Sequence, residues 1–125
     1  MSVITLDETI TIALSVTDRY ASAAWFEKML GFGVLYHMDE AGWSELSTNT
    51  PGVTLGLGEQ GSPNPGNAVP VFGVADIGDA RSALEAEDVR FDGATETMEG
   101  MVSLATFYDP DGNAIMIAQD LAKES

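Results

Sequence analysis

Residues Phe107–Gln119, FYDPDGNAIMIAQ, decide how the rest of the chain is read. Asp109 is placed to bond the backbone ahead of it, Pro110 presets the first turn dihedral, and Gly112 suits the close of a type I turn. The flanks read as strands, which makes this a hairpin tip. After the turn the chain alternates, with Ala114, Met116 and Ala118 on one face and Ile115 and Ile117 on the other. An Ile face is built to pack on a helix. The Ala/Met face looks at something else, and what it meets decides the function.

Working outward, the same alternation opens the chain. In Thr11–Thr17, Ile12, Leu14 and Val16 form an apolar face, and Thr11, Ala13 and Ser15 form a small, partly polar one. Thr17 or Asp18 caps a helix that runs to about Leu30, with Ala23, Phe26, Met29 and Leu30 on its buried side and Trp25 beside them. Gly31 ends it as a left-handed residue. Strands follow at Phe32–Met38, Trp43–Thr48 and Val53–Gly58, where Val53, Leu55 and Leu57 face the helix and Thr54, Gly56 and Gly58 face away. Glu59–Asn67 is a linker by composition. The pattern then restarts: a strand over Ala68–Ala75, a helix capped by Asp76 and carrying Ile77, Ala80 and Leu84, then strands over Val89–Thr97, Met101–Tyr108 and Asn113–Gln119. Asp88 stands where a C-terminal Gly is ideal. Asp18 matches Asp76 and Gly52 matches Gly112, at offsets of 58 and 60 residues, so the chain is an internal repeat.

Composition narrows the function classes. The 125 residues suit one compact domain or two small halves. With no cysteine there is no disulfide, thiol nucleophile or thiolate metal site. The first residues lack a basic region followed by an apolar run, and no apolar run reaches spanning length, so no signal peptide and no membrane are expected and the cytoplasm is the expected compartment. Twenty acidic residues against five basic ones give a net charge of −15, which excludes nucleic acid as a partner. That charge is either a solubilising, salt-adapted surface or a field that attracts cationic ligands.

With both halves in view, the chain resembles the vicinal oxygen chelate superfamily, the glyoxalase / bleomycin-resistance / extradiol-dioxygenase fold. The resemblance rests on Asp18, Ser22, the aromatic pair Trp25–Phe26 and Leu30-Gly31-Phe32 in the first half. In the second half it rests on the hairpin Asp109-Pro110-Asp111-Gly112-Asn113. It implies an α+β fold: one domain over residues 1–125 made of two βαβββ modules, about 8–59 and 67–121, joined by a linker at 60–66. The modules are expected to form a U-shaped mixed sheet around a cavity. Many relatives hold a divalent metal there, and many pair as homodimers, so a homodimer is expected here.

The resemblance also assigns metal slots: seven residues before each capping Asp, and four after each turn Gly. Here they are Thr11, Val69, Gly56 and Met116. A divalent ion wants imidazole or carboxylate ligands, and none of these supplies one. No metal, no cofactor and no metal-dependent catalysis is therefore expected. The residues turned from the helices are nearly all small, which leaves room either for a ligand or for close packing against another chain or module.

Trp43 and Glu45 share a face opposite Leu46, so that Trp43 is placed either to stack a planar ligand or only to close the cavity rim, and Glu45 to accept a ligand's hydrogen bonds or pair a cation. Met98, Met101 and Met116 either line a wall with adaptable thioethers or fill the core. Either Thr106 and Tyr108 or Ala105 and Phe107 look inward. His37, the only histidine, has no partner pattern for a catalytic triad and reads as a strand-end or dimer-surface residue. The expected ligand-binding residues are thus Thr11, Trp43, Glu45, Gly56, Val69, Met101 and Met116, with no catalytic residue. The expected function is metal-free binding of a small, aromatic or cationic molecule, similar to the antibiotic-sequestering members of the resembled family. The alternative is a metal-independent isomerase or lyase using Glu45 as base.

Overall fold

The computed structural model describes residues 8–63 and 69–121. The N-terminal stretch through Asp7, the linker residues 64–67 and the strand start expected at Ala68 lie outside the described residues. The chain divides into two compact units, Met1–Pro63 and Asn64–Ser125.

The first unit runs β1 (Ile10–Val16), α1 (Arg19–Leu30), β2 (Gly33–Met38), a 3-10 turn at Asp39–Ala41, β3 (Trp43–Ser47) and β4 (Val53–Glu59). Its sheet order is β1-β4-β3-β2, with β1 parallel to β4 and the other pairs antiparallel. The second unit runs β5 (Val71–Gly73), α2 (Ile77–Glu85), β6 (Glu96–Met98), β7 (Val102–Tyr108) and β8 (Ala114–Asp120), in the order β5-β8-β7-β6. The two topologies are the same, so the repeat seen in the sequence is a repeat of structure. Each unit is one helix over one mixed four-stranded sheet, an α+β fold.

In the first unit α1 lies over β2, β3 and β4. Asp18 caps it by accepting from the backbone N–H of Tyr20 and Ala21, which satisfies two of the donors a helix start leaves open. Gly31, at φ 75°, ends it, and the chain doubles back so that the Phe32 ring stacks 6.0 Å from Phe26. Phe26, Leu46, Leu55, Leu57 and Val16 are the sealed centre of this core. Each such side chain contributes about 1.5–3 kcal/mol by leaving water. Met29 and Leu30, expected inside, are only half-buried.

The buried helix face instead includes Arg19, which periodicity does not suggest. It is 4% exposed. Its guanidinium donates to Glu59 (3.3 Å), Asp39 (3.0 Å), the Trp43 carbonyl (3.0 Å) and Ser44 Oγ (3.0 Å), so four of its five N–H donors are used inside the unit. Asp39 also accepts from Tyr20 Oη at 2.8 Å, and Tyr20 and Arg19 hold the Asp39 carboxyl below its usual value. His37 belongs to the same network and is not a bare surface residue. Its ring stacks 4.0 Å from Tyr20, and its Nδ1 lies 2.6 Å from Ser44 Oγ.

In the second unit α2 lies over β7 and β8. Ala105, Phe107, Ile115 and Ile117 are buried beneath it, so Leu104, Thr106 and Tyr108 belong to the opposite face with Ala114, Met116 and Ala118. The hairpin tip closes as its residues dictate: Asp109 accepts from the backbone N–H of Asp111 (2.9 Å) and Asn113 (2.8 Å) and from Asn113 Nδ2 (2.9 Å). Asp88 adopts φ 63°, the one described non-glycine residue at positive φ.

Two strands are shorter than their sequence suggests. The expected strand over Val89–Thr97 is reduced to Glu96–Met98 plus a single bridge between Phe91 and Phe107. Gly93, at φ 71°, turns the chain out of the extended conformation between them. The expected strand through Ala75 is reduced to Val71–Gly73, with one flanking bond on each side: Pro70, which has no N–H to offer, accepts from Met116 through its carbonyl, and the Val74 N–H donates to the Ala118 carbonyl.

Candidate functional site

The face of the first unit turned from α1 carries the most organised polar and aromatic group. Three strands supply it in register. Trp43 stands opposite Gly58 and Glu45 opposite Gly56 across β3–β4, and Thr11 stands opposite Thr54 across β1–β4. A bulge at Leu35 shifts the β2 register, so that Tyr36 pairs with Glu45 and joins this face, while His37 pairs with Ser44 on the helix side.

The Trp43 indole lies down on β4. A Cβ built on Gly56 would overlap its Cζ2 and Cη2 and stand 3.0 Å from Cε2; one built on Gly58 would meet the six-membered ring at 3.7 Å. Gly56 is buried because the indole covers it. The indole's in-plane position is fixed by its Nε1–H, which donates to Glu45 Oε1 at 2.7 Å.

Glu45 gathers the rest. Its Oε1 also accepts from Tyr36 Oη at 3.3 Å, and its Oε2 lies 2.6 Å from Thr54 Oγ1 and 3.1 Å from Thr11 Oγ1. The two threonine hydroxyls are 2.8 Å apart. Partial burial by itself raises the Glu45 carboxyl, but the hydrogen bonds from Thr54, Trp43, Thr11 and Tyr36 outweigh it and hold the carboxyl below its ordinary value. Such a carboxylate is ionised at neutral pH and is a poor proton acceptor.

The corresponding face of the second unit is plainer. Met116 is half-buried on β8, opposite Val71 on one side and Thr106 on the other. A cleft of about 70 Å³ opens beside it, lined by Asp92, Ala94, Glu96, Leu104, Ala105, Thr106 and Met116. That admits a few waters or one substituent, whereas a drug-sized ligand fills about 300 Å³ or more. Val69 is exposed just before β5. Met101 is 62% exposed in the β6–β7 turn, where its carbonyl accepts from the backbone of Leu121.

Of the seven residues expected to bind ligand, the structure thus brings four together: Thr11, Trp43, Glu45 and Gly56. Met116 sits on the face of the second unit, and Val69 and Met101 sit at exposed positions of that unit. Tyr36 and Thr54 belong to the first cluster as well. Thr54 was legible on the face turned from the helix. Tyr36 was not, because one bulged residue changes the face of everything after it.

The donor set does not fit a divalent metal. Thr11, Gly56, Val69 and Met116 offer one neutral hydroxyl and one thioether. The space over Gly56 is taken by the indole, and the nearby carboxylate already has four partners. Among the described residues no three of His, Cys, Asp and Glu converge into a metal-holding group. Among the described residues, too, no helix is long and apolar enough to cross a membrane.

No curated protein matches the sequence. Solved structures match it over nearly its whole length. TnmS3, an antibiotic binding protein from Streptomyces sp. CB03234, superposes with TM-score 0.76 at 21% identity over 94% of this chain and 98% of that one. A member of the glyoxalase/bleomycin resistance protein/dioxygenase superfamily from Sphaerobacter thermophilus DSM 20745 gives 0.77 at 17% identity, over 92% and 98%. The genomically encoded fosfomycin resistance protein FosX from Listeria monocytogenes, solved with Mn(II) and sulfate, gives 0.76 at 15% identity, over 96% and 95%. At these identities the likeness shows the fold alone. The family model is more direct: it matches residues 9–117, and the chain belongs to the Glyoxalase/Bleomycin resistance protein/Dioxygenase superfamily.

Proposed function

We propose that the protein is a metal-free small-molecule-binding protein of the antibiotic-sequestering kind, with a flat aromatic or cationic ligand laid on the Trp43 face of the first unit. The observation that carries this is the seating of Trp43. An indole held on two glycines and tied to an ionised carboxylate is a preorganised stacking surface, and stacking on it requires no rearrangement. The ionised Glu45 and the net charge of −15 favour a cationic ligand. The antibiotic-binding neighbour makes this use of the fold a precedent. Met116, Val69 and Met101, also expected to bind ligand, belong to the second unit and are not part of this face. A homodimer in the cytoplasm is the proposed setting.

Glu45 as the base of a metal-independent isomerase or lyase is less well supported, since its hydrogen bonds favour the ionised form over proton uptake. The test is a titration of the protein with aromatic dyes, cationic and neutral, followed by tryptophan emission in a Trp25→Phe background and by product analysis. Stoichiometric quenching without turnover, unchanged by chelator, is the expected result. Close to one tightly bound metal ion per chain, lost with ligand binding on chelation, would overturn the proposal.

A further inference from the structure

The oxygen cluster on this face is one proton short. Glu45 Oε2, Thr54 Oγ1 and Thr11 Oγ1 make three mutual contacts of 2.6, 2.8 and 3.1 Å. A hydroxyl carries one proton and an ionised carboxylate none, so two protons serve three contacts. If both threonines donate to Glu45, the two hydroxyl oxygens face each other at 2.8 Å through lone pairs alone. If Thr54 donates to Glu45 and Thr11 to Thr54, the shortest contacts are satisfied. The unbridged pair is then Thr11 Oγ1 and Glu45 Oε2 at 3.1 Å. The second arrangement puts the repulsive contact at the longest distance, and it is the one on the solvent side, because Thr11 is exposed. A proton on Glu45 would close the count, but the hydrogen bonds that carboxyl keeps in this arrangement, from Thr54, Trp43 and Tyr36, favour its ionised form.

We infer that Thr11 Oγ1 and Glu45 Oε2 form a recognition point for a ligand N–H donor of the protonated primary or secondary amine class, which supplies the missing proton as a bifurcated hydrogen bond. This rests on the small-molecule-binding reading and specifies the polar group its ligand carries. The specificity is for a donor, not for charge. A quaternary ammonium has the same charge and no N–H, so it leaves the Thr11–Glu45 contact unbridged.

The test uses the full chain with ¹³C-methyl-labelled threonine, titrated at low ionic strength with methylammonium, tetramethylammonium and sodium chloride, and observed by NMR. Methylammonium is expected to shift the Thr11 and Thr54 methyl signals saturably, about tenfold more tightly than tetramethylammonium, the effect of one charge-assisted hydrogen bond. In Glu45→Gln the amide N–H supplies the third proton, and in Thr11→Val the acceptor is gone. Both variants are expected to lose the preference. Thr11→Val, at an exposed strand position, keeps the test valid if Glu45→Gln unfolds. Equal affinity for tetramethylammonium, an equal saturable shift with sodium, a preference that survives Thr11→Val, or no saturable shift with methylammonium would each overturn the inference. If aromatic dyes still bind while methylammonium does not, the binding function stands and only this inference falls; if neither binds, both fall.

Discussion

Replacing Gly56 with alanine tests whether the Trp43 face is built as described. The added methyl would overlap Cζ2 and Cη2 of the indole and lie 3.0 Å from Cε2. Carbon pairs rest near about 3.5–4.0 Å, so the ring must lift by on the order of 1 Å or tilt. Either movement draws Nε1 away from Glu45 Oε1, now at 2.7 Å. Overpacking of this kind costs about 1–3 kcal/mol, and weakening a hydrogen bond to a charged group adds about 1 kcal/mol. Better strand propensity of alanine returns somewhat less than 1 kcal/mol. A net loss of about 2 kcal/mol in urea unfolding is expected, with a red shift of Trp43 emission in a Trp25→Phe background and weaker binding of flat dyes. Gly58→Ala is the internal control. Its methyl meets the same ring at 3.7 Å, an ordinary contact, and is expected to change stability by less than about 1 kcal/mol. Equal stabilities and equal emission for the two variants would refute the seating of the indole on Gly56, and with it the stacking surface.

Three further outcomes follow from other parts of the chain. Asp88→Gly is expected to stabilise by about 0.5–1 kcal/mol, since Asp88 holds φ 63°; Asp88→Asn removes the same charge and separates that effect from backbone relief in thermal unfolding. Asp109→Ala removes the carboxylate that accepts from the N–H groups of Asp111 and Asn113 and from the buried Asn113 amide, and a loss of about 2–3 kcal/mol is expected in denaturant titration. Glu45 has a lowered folded value, so it contributes stability above the ordinary glutamate range. That contribution fades as pH falls through the lowered value, and the stability difference between wild type and Glu45→Gln is expected to hold near neutrality and shrink on acidification.

Much of the fold was legible because its signals are local. Asp18 and Asp76 as caps, Gly31 as a left-handed stop and the Asp109–Asn113 turn each act within a few residues, and each appears where its chemistry puts it. The placement of Trp43 and Glu45 on one face followed from strict alternation around Leu46, which is fully buried. What was hidden depends on contacts distant in sequence. Arg19 reads as a surface residue until Glu59, Asp39, Ser44 and the Trp43 carbonyl converge on it. Tyr36 reaches Glu45 only because Leu35 bulges, and no residue type announces a bulge there. The strand over Val89–Thr97 was overextended because its β-forming residues outweighed a single Gly93. Thr11, Gly56, Val69 and Met116 were legible as poor metal ligands, but not that an indole fills the space over one of them.

The two units share a scaffold and treat the same position in opposite ways. Register makes Gly56 and Met116 equivalent, since Glu45 stands opposite the first and Thr106 opposite the second. By the same register Trp43, opposite Gly58, corresponds to Leu104, opposite Ala118. In the second unit bulk stands at the position itself, as the Met116 side chain, and the residue opposite is the small Thr106. In the first unit the position is stripped to glycine and bulk arrives from the neighbouring strand. Glycine in a strand interior costs about 0.5–1 kcal/mol relative to alanine, and β4 carries two of them. Considered alone, Gly56 and Gly58 weaken the strand that pairs with both β1 and β3. Considered with Trp43 they are the recess that lets an indole lie flat, with its Nε1 aimed at Glu45 and its outer face turned away from the sheet. The glycines, the tryptophan and the glutamate therefore form one unit of design: removing any one of them leaves the others as unexplained costs, and a fixed, flat indole face turned from the sheet is the property they produce together.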